Sequence, residues 1–349
     1  MIRLHDKNRN YFIGRAIIVI CYFLIIGPDK RLFSQEGDIR VHDPVMIRQD
    51  NVYYLFCTGR GISIRRSSDL YHWERAGRVF ESPPEWALKA VPGFRGHIWA
   101  PDIFYNDSIY YLFYSVSNFG KNTSCIGVAT NKTLHSDDPD YHWTDHGKVI
   151  ESIPFRDDWN AIDPNVIKDG DGSFWMTFGS FWSGIKMVKL SPDLLRIQPK
   201  PQEWAALAAR LRSPDIPLNE AGDGAIEAPF IVSRNSFYYL FVSFDYCCRG
   251  ANSNYKIMAG RAENIRGPYL DRSGVPMMMG GGTLLIGGNE RWPGLGHCAV
   301  FHDKGQDWLV YHAYDAENGG QMTLRIRKLN WDDTGWPVAG EPVRAGLAE

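Results

Sequence analysis

The sequence predicts an all-β, single-domain β-propeller of five blades, and three observations carry that expectation. A short aromatic strand recurs five times: YYLFCTG from Tyr53, YYLFYSV from Tyr110, FWMTFGS from Phe174, YYLFVSF from Tyr238 and WLVYHAY from Trp308. A small motif, usually with proline, precedes each one: HDP (His42 to Pro44), WAPD (Trp99 to Asp102), IDP (Ile162 to Pro164), EAP (Glu227 to Pro229) and HCA (His297 to Ala299). Aligned on Tyr54, Tyr111, Trp175, Tyr239 and Trp308, the copies lie 57, 64, 64 and 69 residues apart. Repeats of that length, each made of short strands, are the pattern of propeller blades.

Within each repeat the elements follow in order. Turn clusters at Gln49–Asn51, Asn106–Ser108, Asp169–Gly172, Arg234–Ser236 and Asp303–Gln306 separate the motif from its aromatic strand, so every repeat opens with a hairpin. A third strand is readable in Gly61 to Leu70, Thr123 to Leu134, Ser183 to Leu194 and Tyr255 to Ile265. A fourth, marked by tryptophan, follows in HWERAGRVF from His72 and HWTDHGKVI from His142. The stretch EWAALAARL (Glu203 to Leu211) instead has helical spacing and good helix formers, and is expected as a helical insertion between strands. No Pro/Ser linker or shift in composition divides the chain, so residues 35–349 are expected to form one domain.

The N-terminus reads differently. Arg3, Lys7, Arg9 and Arg15 precede the apolar run Ala16 to Ile26, whose eleven residues are too few to span a bilayer. A basic segment before a short apolar one is the pattern of a secretory signal, here residues 1–34 with the small Ser34 at their end. The expectation is a secreted or periplasmic protein, an uncleaved anchor being the alternative. Net charge is -2 with both signs interspersed, which argues against nucleic acid as a partner. Five cysteines lie beyond the signal, and their spacing makes no zinc pattern. Cys247 and Cys248 are adjacent, leaving open a vicinal disulfide or two buried thiols.

Chemistry enters through the motifs. Asp43 and Asp163 each stand immediately before a proline, and Glu227 falls one residue earlier in its copy. Ala100 and Cys298 are expected at the pre-proline position of the other two copies. A single Asp-Pro is ordinary turn chemistry. Three acids in register across repeats imply convergence in the channel, where cleavage of a glycosidic bond needs a protonated acid and a carboxylate base. A third acid nearby can raise the first one's pKa by like-charge repulsion.

These residues and the loops around them resemble family 43 glycoside hydrolases, and within that family the endo-acting α-1,5-L-arabinanases. The matching stretches include VHDPVMI, IWAPDI, NAIDPNVI, FGSFWSGIKMVKL, IEAPFI, YYLFVSFDYCCRG, GHCAVF and LVYHAYDAENG, spread from Val41 to about Val338. The resemblance implies inverting hydrolysis of arabinan and arabino-oligosaccharides, with Asp43 as general base, Glu227 as general acid and Asp163 as modulator of the acid. It further implies a calcium ion in the channel held by one histidine and waters, at His297. Trp99 and Phe119 are candidates for stacking on sugar rings, and Asn165, Ser180 and Trp182 for contacts around the central subsite. Two other readings compete: an exo-acting α-L-arabinofuranosidase or β-xylosidase of the same family, and a non-catalytic carbohydrate-binding propeller.

Overall fold

Each repeat folds into one antiparallel four-stranded sheet, and five such sheets make up the computed structural model. Residues 39–199, 202–217 and 219–343 are described, so the expected signal segment lies outside them. Blade one comprises Val45–Gln49, Val52–Cys57, Ser63–Ser67 and Glu74–Arg78; blade two comprises His97–Asn106, Ile109–Val116, Ser124–Asn131 and Thr144–Ser152. Blade three comprises Asn165–Lys168, Phe174–Phe178, Ile185–Lys189 and Trp204–Ala208; blade four comprises Ile226–Arg234, Phe237–Phe244, Lys256–Ala262 and Thr283–Ile286. Blade five comprises Leu295–Asp303, Gln306–Asp315, Gln321–Trp331 and Pro337–Pro342. The short pair Gly59–Arg60 also bonds to the first strand of blade two.

The aromatic strands are buried because both of their faces pack against neighbouring blades. Leu55, Phe56, Leu112, Phe113, Leu240 and Phe241 are all fully inaccessible. Apolar clusters bridge adjacent blades: Phe56 of blade one packs with Leu112 and Tyr114 of blade two. Leu55 of blade one shares a cluster with Val310 and Ile326 of blade five, which closes the ring. The chain entering blade one reinforces that closure, since Leu324 N–H donates to the Ile39 carbonyl at 2.9 Å.

Trp204–Ala208 is a strand, correcting the helix expected there. It pairs with Ile185–Lys189, with Trp204 opposite Val188 and Ala205 opposite Met187. The pairing satisfies the outer N–H and C=O groups of Ile185–Lys189, and tertiary pairing of this kind overrides the helix propensity of the alanines. Among the described residues the α-helix is Glu85–Ala90, in a segment not expected to be helical. Its Trp86 Nε1 donates to Asp145 at 2.9 Å, which fastens the insertion onto the outer strand of blade two.

The feature that builds the site is a kink repeated at the start of all five innermost strands. Asp43, Ala100, Asp163, Ala228 and His297 have φ of 50°, 43°, 59°, 55° and 50°. A left-handed non-glycine residue costs on the order of 1 kcal/mol. Each kink is offset by a hydrogen bond to the preceding blade. Ala100 N–H donates to Thr58 Oγ1 at 2.8 Å, Asp163 N–H to Ser115 Oγ at 2.9 Å, His297 N–H to Ser243 Oγ at 2.9 Å and Asp43 N–H to His312 Nδ1 at 3.2 Å. The acceptors occupy one position on the aromatic strands, and in blade three that position is Gly179. With no hydroxyl there, Ala228 N–H donates to the Asp163 carboxylate instead, at 3.1 Å.

Candidate active site

The kinks correct the sequence register in blade five. The ladder there breaks between Gly296 and Ala299, as it does between Trp99 and Asp102 and between Glu227 and Phe230. His297, not Cys298, therefore holds the position of Asp43 and Asp163, and Cys298 holds that of the prolines. Glu227 stands one residue before its kink, at the register of Trp99 and Gly296, opposite Ser243. A β-bulge re-aims side chains, so the one-residue offset of Glu227 does not turn it out of the site.

Asp43 is 6% exposed and its two oxygens meet three side chains. Oδ2 accepts from Thr58 Oγ1 at 2.5 Å and faces His42 Nδ1 at 2.8 Å, while Oδ1 lies 3.1 Å from His297 Nδ1. Burial alone would raise this carboxyl, but His297 and His42 outweigh it and hold it well below the usual carboxylate range. The same pairing acts on His297: burial would lower it, yet the Asp43 charge brings it up to about 9. His312 goes the other way, driven well down by burial and by His42. Neutral His312 accepts the Asp43 N–H, so its 3.7 Å approach to Oδ1 is not an ion pair.

Asp163 and Glu227 meet at the seam of blades three and four. Burial pushes the Asp163 carboxyl up; His297 pulls against it, and the charges of Glu227 and Asp43 add to the rise, to about 8. Glu227 accepts from Ser180 Oγ on Oε2 at 2.8 Å and from Tyr255 OH on Oε1 at 2.7 Å. Tyr255 fits because blade five has Gly296 beside it: a Cβ there would lie 2.2 Å from the ring. One buried carboxylate held strongly ionised and another kept protonated to higher pH is the arrangement that separates a base from an acid.

The other expected site residues divide. Ser180 joins the acids as the donor to Glu227. Trp182 is 4% exposed with an indole N–H that finds no acceptor among the described residues. Trp99 is half-buried at the register of Glu227, its Nε1 on His97 Nδ1 at 2.9 Å. Phe119 is 81% exposed, on the loop before a groove of about 830 Å³ lined by Gly120, Phe155, Ala221 and Tyr246 among others. Asn165 is turned between blades: its Oδ1 accepts from Ile231 N–H at 2.8 Å and its Nδ2 lies 3.5 Å from Asp102. Asp102 itself, pushed up to about 7 by burial, accepts Val166 N–H at 2.7 Å and ties blade two to blade three. Thr58, Tyr255, His312 and Tyr314 were not singled out by the sequence, because nothing local marks them. The repeat position shared by Thr58, Ser115, Ser243 and His312 was the available signal.

Among the described residues two groups of side chains could hold a metal ion: His42, Asp43 and His312, and His42, Cys247 and Cys248. His297 belongs to neither group. With Nδ1 on Asp43 it has only Nε2 to offer, and the carboxylates whose charges act on it are those of Asp43, Asp163 and Glu227. Calcium takes six to eight oxygen ligands, so His297 fits only an ion whose shell is otherwise water. Cys247 and Cys248 form a disulfide, which settles the alternative left open by the sequence, while Cys57, Cys125 and Cys298 are buried free thiols.

A five-bladed propeller with buried acids of opposed ionisation at its inner strands defines the class: a glycoside-cleaving enzyme. Residues 38–337 match the model of glycosyl hydrolases family 43, and the chain belongs to that family. It is 48% identical to an extracellular exo-α-(1→5)-L-arabinofuranosidase of Cellvibrio japonicus, over 93% of this chain and 91% of the relative. It is 41% identical to an extracellular endo-α-(1→5)-L-arabinanase of Bacillus subtilis, over 95% and 97%. The structure of a Cellvibrio cellulosa α-L-arabinanase complexed with arabinohexaose superposes with a TM-score of 0.85 at 50% identity, covering 87% of this chain and 96% of that one.

Proposed function

We propose that this enzyme cleaves α-1,5-L-arabinofuranosidic bonds within arabinan chains, inverting the anomeric configuration. The acid–base part of this reading rests on the convergence of Asp43, Asp163 and Glu227, with Asp43 held low and Asp163 raised, and arabinan as the substrate rests on the arabinan-cleaving relatives. Asp43 takes a proton from the attacking water. A carboxylate held so low is a modest base, but it is charged at every working pH. Glu227 protonates the leaving oxygen, positioned by Ser180 and Tyr255. Asp163 keeps a proton at the pair and holds the Ala228 backbone, which fixes the acid's approach.

Endo cleavage is supported by the Bacillus subtilis relative, an endo-α-(1→5)-L-arabinanase. Exo release is the second reading, favoured by the Cellvibrio japonicus relative. Linear, debranched arabinan decides between them: mixed oligosaccharides from the first minutes support endo cleavage, and arabinose alone overturns it. Undetectable turnover with retained arabinan binding would leave a non-catalytic sugar-binding propeller.

A calcium ion on His297 Nε2 would add positive charge beside Asp43 and would compete with the imidazole proton. The polymeric substrate and the basic-then-apolar N-terminus both support export, which N-terminal sequencing of protein recovered outside the cytoplasm would check.

A further inference from the structure

The Cys247–Cys248 disulfide lies within reach of the catalytic base through a single histidine. Cys248 Sγ is 3.8 Å from His42 Nε2, and both cysteine sulfurs lie within 4.8 Å of a ligand nitrogen of His42 and of each other. Cys248 N–H donates to Tyr314 OH at 2.8 Å, and that oxygen is 3.0 Å from His42 Nε2, so the loop is already seated against the imidazole. The far side of the same ring, Nδ1, is on Asp43 Oδ2 at 2.8 Å. Cys247 is half-buried and Cys248 exposed, so a reductant can reach the bond. The other three thiols among the described residues, Cys57, Cys125 and Cys298, are buried, and burial pushes them up to about 11, 11 and 12, leaving them poor metal ligands.

We propose that the reduced Cys247–Cys248 pair and His42 form a binding site for a thiophilic divalent cation such as zinc, and that its occupancy stops hydrolysis. The binding goes beyond the reading above and does not depend on it; only the inhibition does. In tetrahedral zinc sites, sulfur and nitrogen ligands of one ion stand roughly 3.6 Å apart, given bonds of about 2.3 and 2.0–2.1 Å. The 3.8 Å between Cys248 Sγ and His42 Nε2 already approaches that separation. A metal-bound histidine usually donates its second N–H to a carboxylate, and His42 has Asp43 in that place. A phosphine reductant opens the site. Phosphorus is oxidised to the phosphine oxide with the oxygen of one water, the S–S bond breaks, and the two hydrogens of that water end on the sulfurs. The cation then displaces both thiol protons to solvent and takes Nε2 of neutral His42, leaving a fourth position for water. Its charge, relayed through the ring, further weakens Asp43 as a base.

Cobalt(II) as the probe reads binding directly by thiolate-to-metal charge-transfer absorption. The protein is reduced with phosphine, desalted without oxygen and titrated beside an oxidised sample. One cobalt per chain with that absorption, displaced by zinc and bound at least tenfold more weakly by the oxidised form, is the expected result. Zinc should then lower arabinan turnover more than tenfold in the reduced enzyme and leave the oxidised enzyme and the Cys247→Ser/Cys248→Ser variant unaffected. Absence of the charge-transfer band in reduced protein, or its persistence in the double variant, overturns the site. Binding without inhibition overturns only the coupling to Asp43.

Discussion

Asp43 and His297 occupy the same kinked position in the adjoining blades one and five, and their side chains meet where the ring closes, with Nδ1 3.1 Å from Oδ1. The repeat thus brings equivalent residues face to face, and the exchange of acid for histidine in one copy turns like-charge repulsion into an ion pair.

This pair makes stability depend on pH in a defined direction. His297 is raised above its ordinary 6.5 to about 9, so its contribution is complete below the lower value and is lost as pH rises through the upper one. In chelator, His297→Gln should lower Tm markedly at neutral pH and very little at a pH of about 10. An equal deficit at both would mean that the charge pairing contributes nothing.

Removing the acids separates chemistry from binding. Asp43→Asn and Glu227→Gln should each reduce kcat on debranched arabinan by about 10²–10⁴-fold, the usual worth of a positioned general acid or base. Affinity for arabino-oligosaccharides, measured calorimetrically, should change little.

Asp163 should set the alkaline limb of kcat/KM. The proton retained there up to about 8 is lost above that pH, and activity should fall through it. Asp43, held well below its ordinary value, keeps the base ionised far into acid. Asp163→Asn removes the group that holds this proton and should displace or abolish the limb near pH 8. A limb that does not move would assign it to another group.

The inter-blade bonds at the kinks are open to test at Ser115. Ser115→Ala leaves the buried Asp163 N–H without its acceptor, which should cost about 1–3 kcal/mol in urea unfolding. The carboxylate it positions should lose activity in parallel.

Phe119 projects into solvent at 81% exposure, so Phe119→Ala should leave Tm unchanged. If the ring stacks on arabinan outside the central subsite, KM should rise several-fold for the polymer and stay constant for the shortest cleavable oligosaccharide. This corresponds to roughly 0.5–1.5 kcal/mol of aromatic contact.

The five blades and the three acids were legible in the chain because hairpins, turn clusters and the recurring aromatic strand are local signals that repeat. Unequal copies of one motif also marked the places where function departs from scaffold. Other features depended on partners far away in sequence. Trp204–Ala208 became a strand through its pairing with Ile185–Lys189. Blade five shifted by one residue because its kink bonds to Ser243 of blade four, which places His297 rather than Cys298 at the position of the acids. Thr58, His312, Tyr255 and the Cys247–Cys248 loop reach the site through ring closure, which joins residues as distant as His42 and Tyr314. A repeat written along the chain determines how many blades form and what each carries. Only closing the ring decides which side chains face one another, because those contacts are made between blades and not within them.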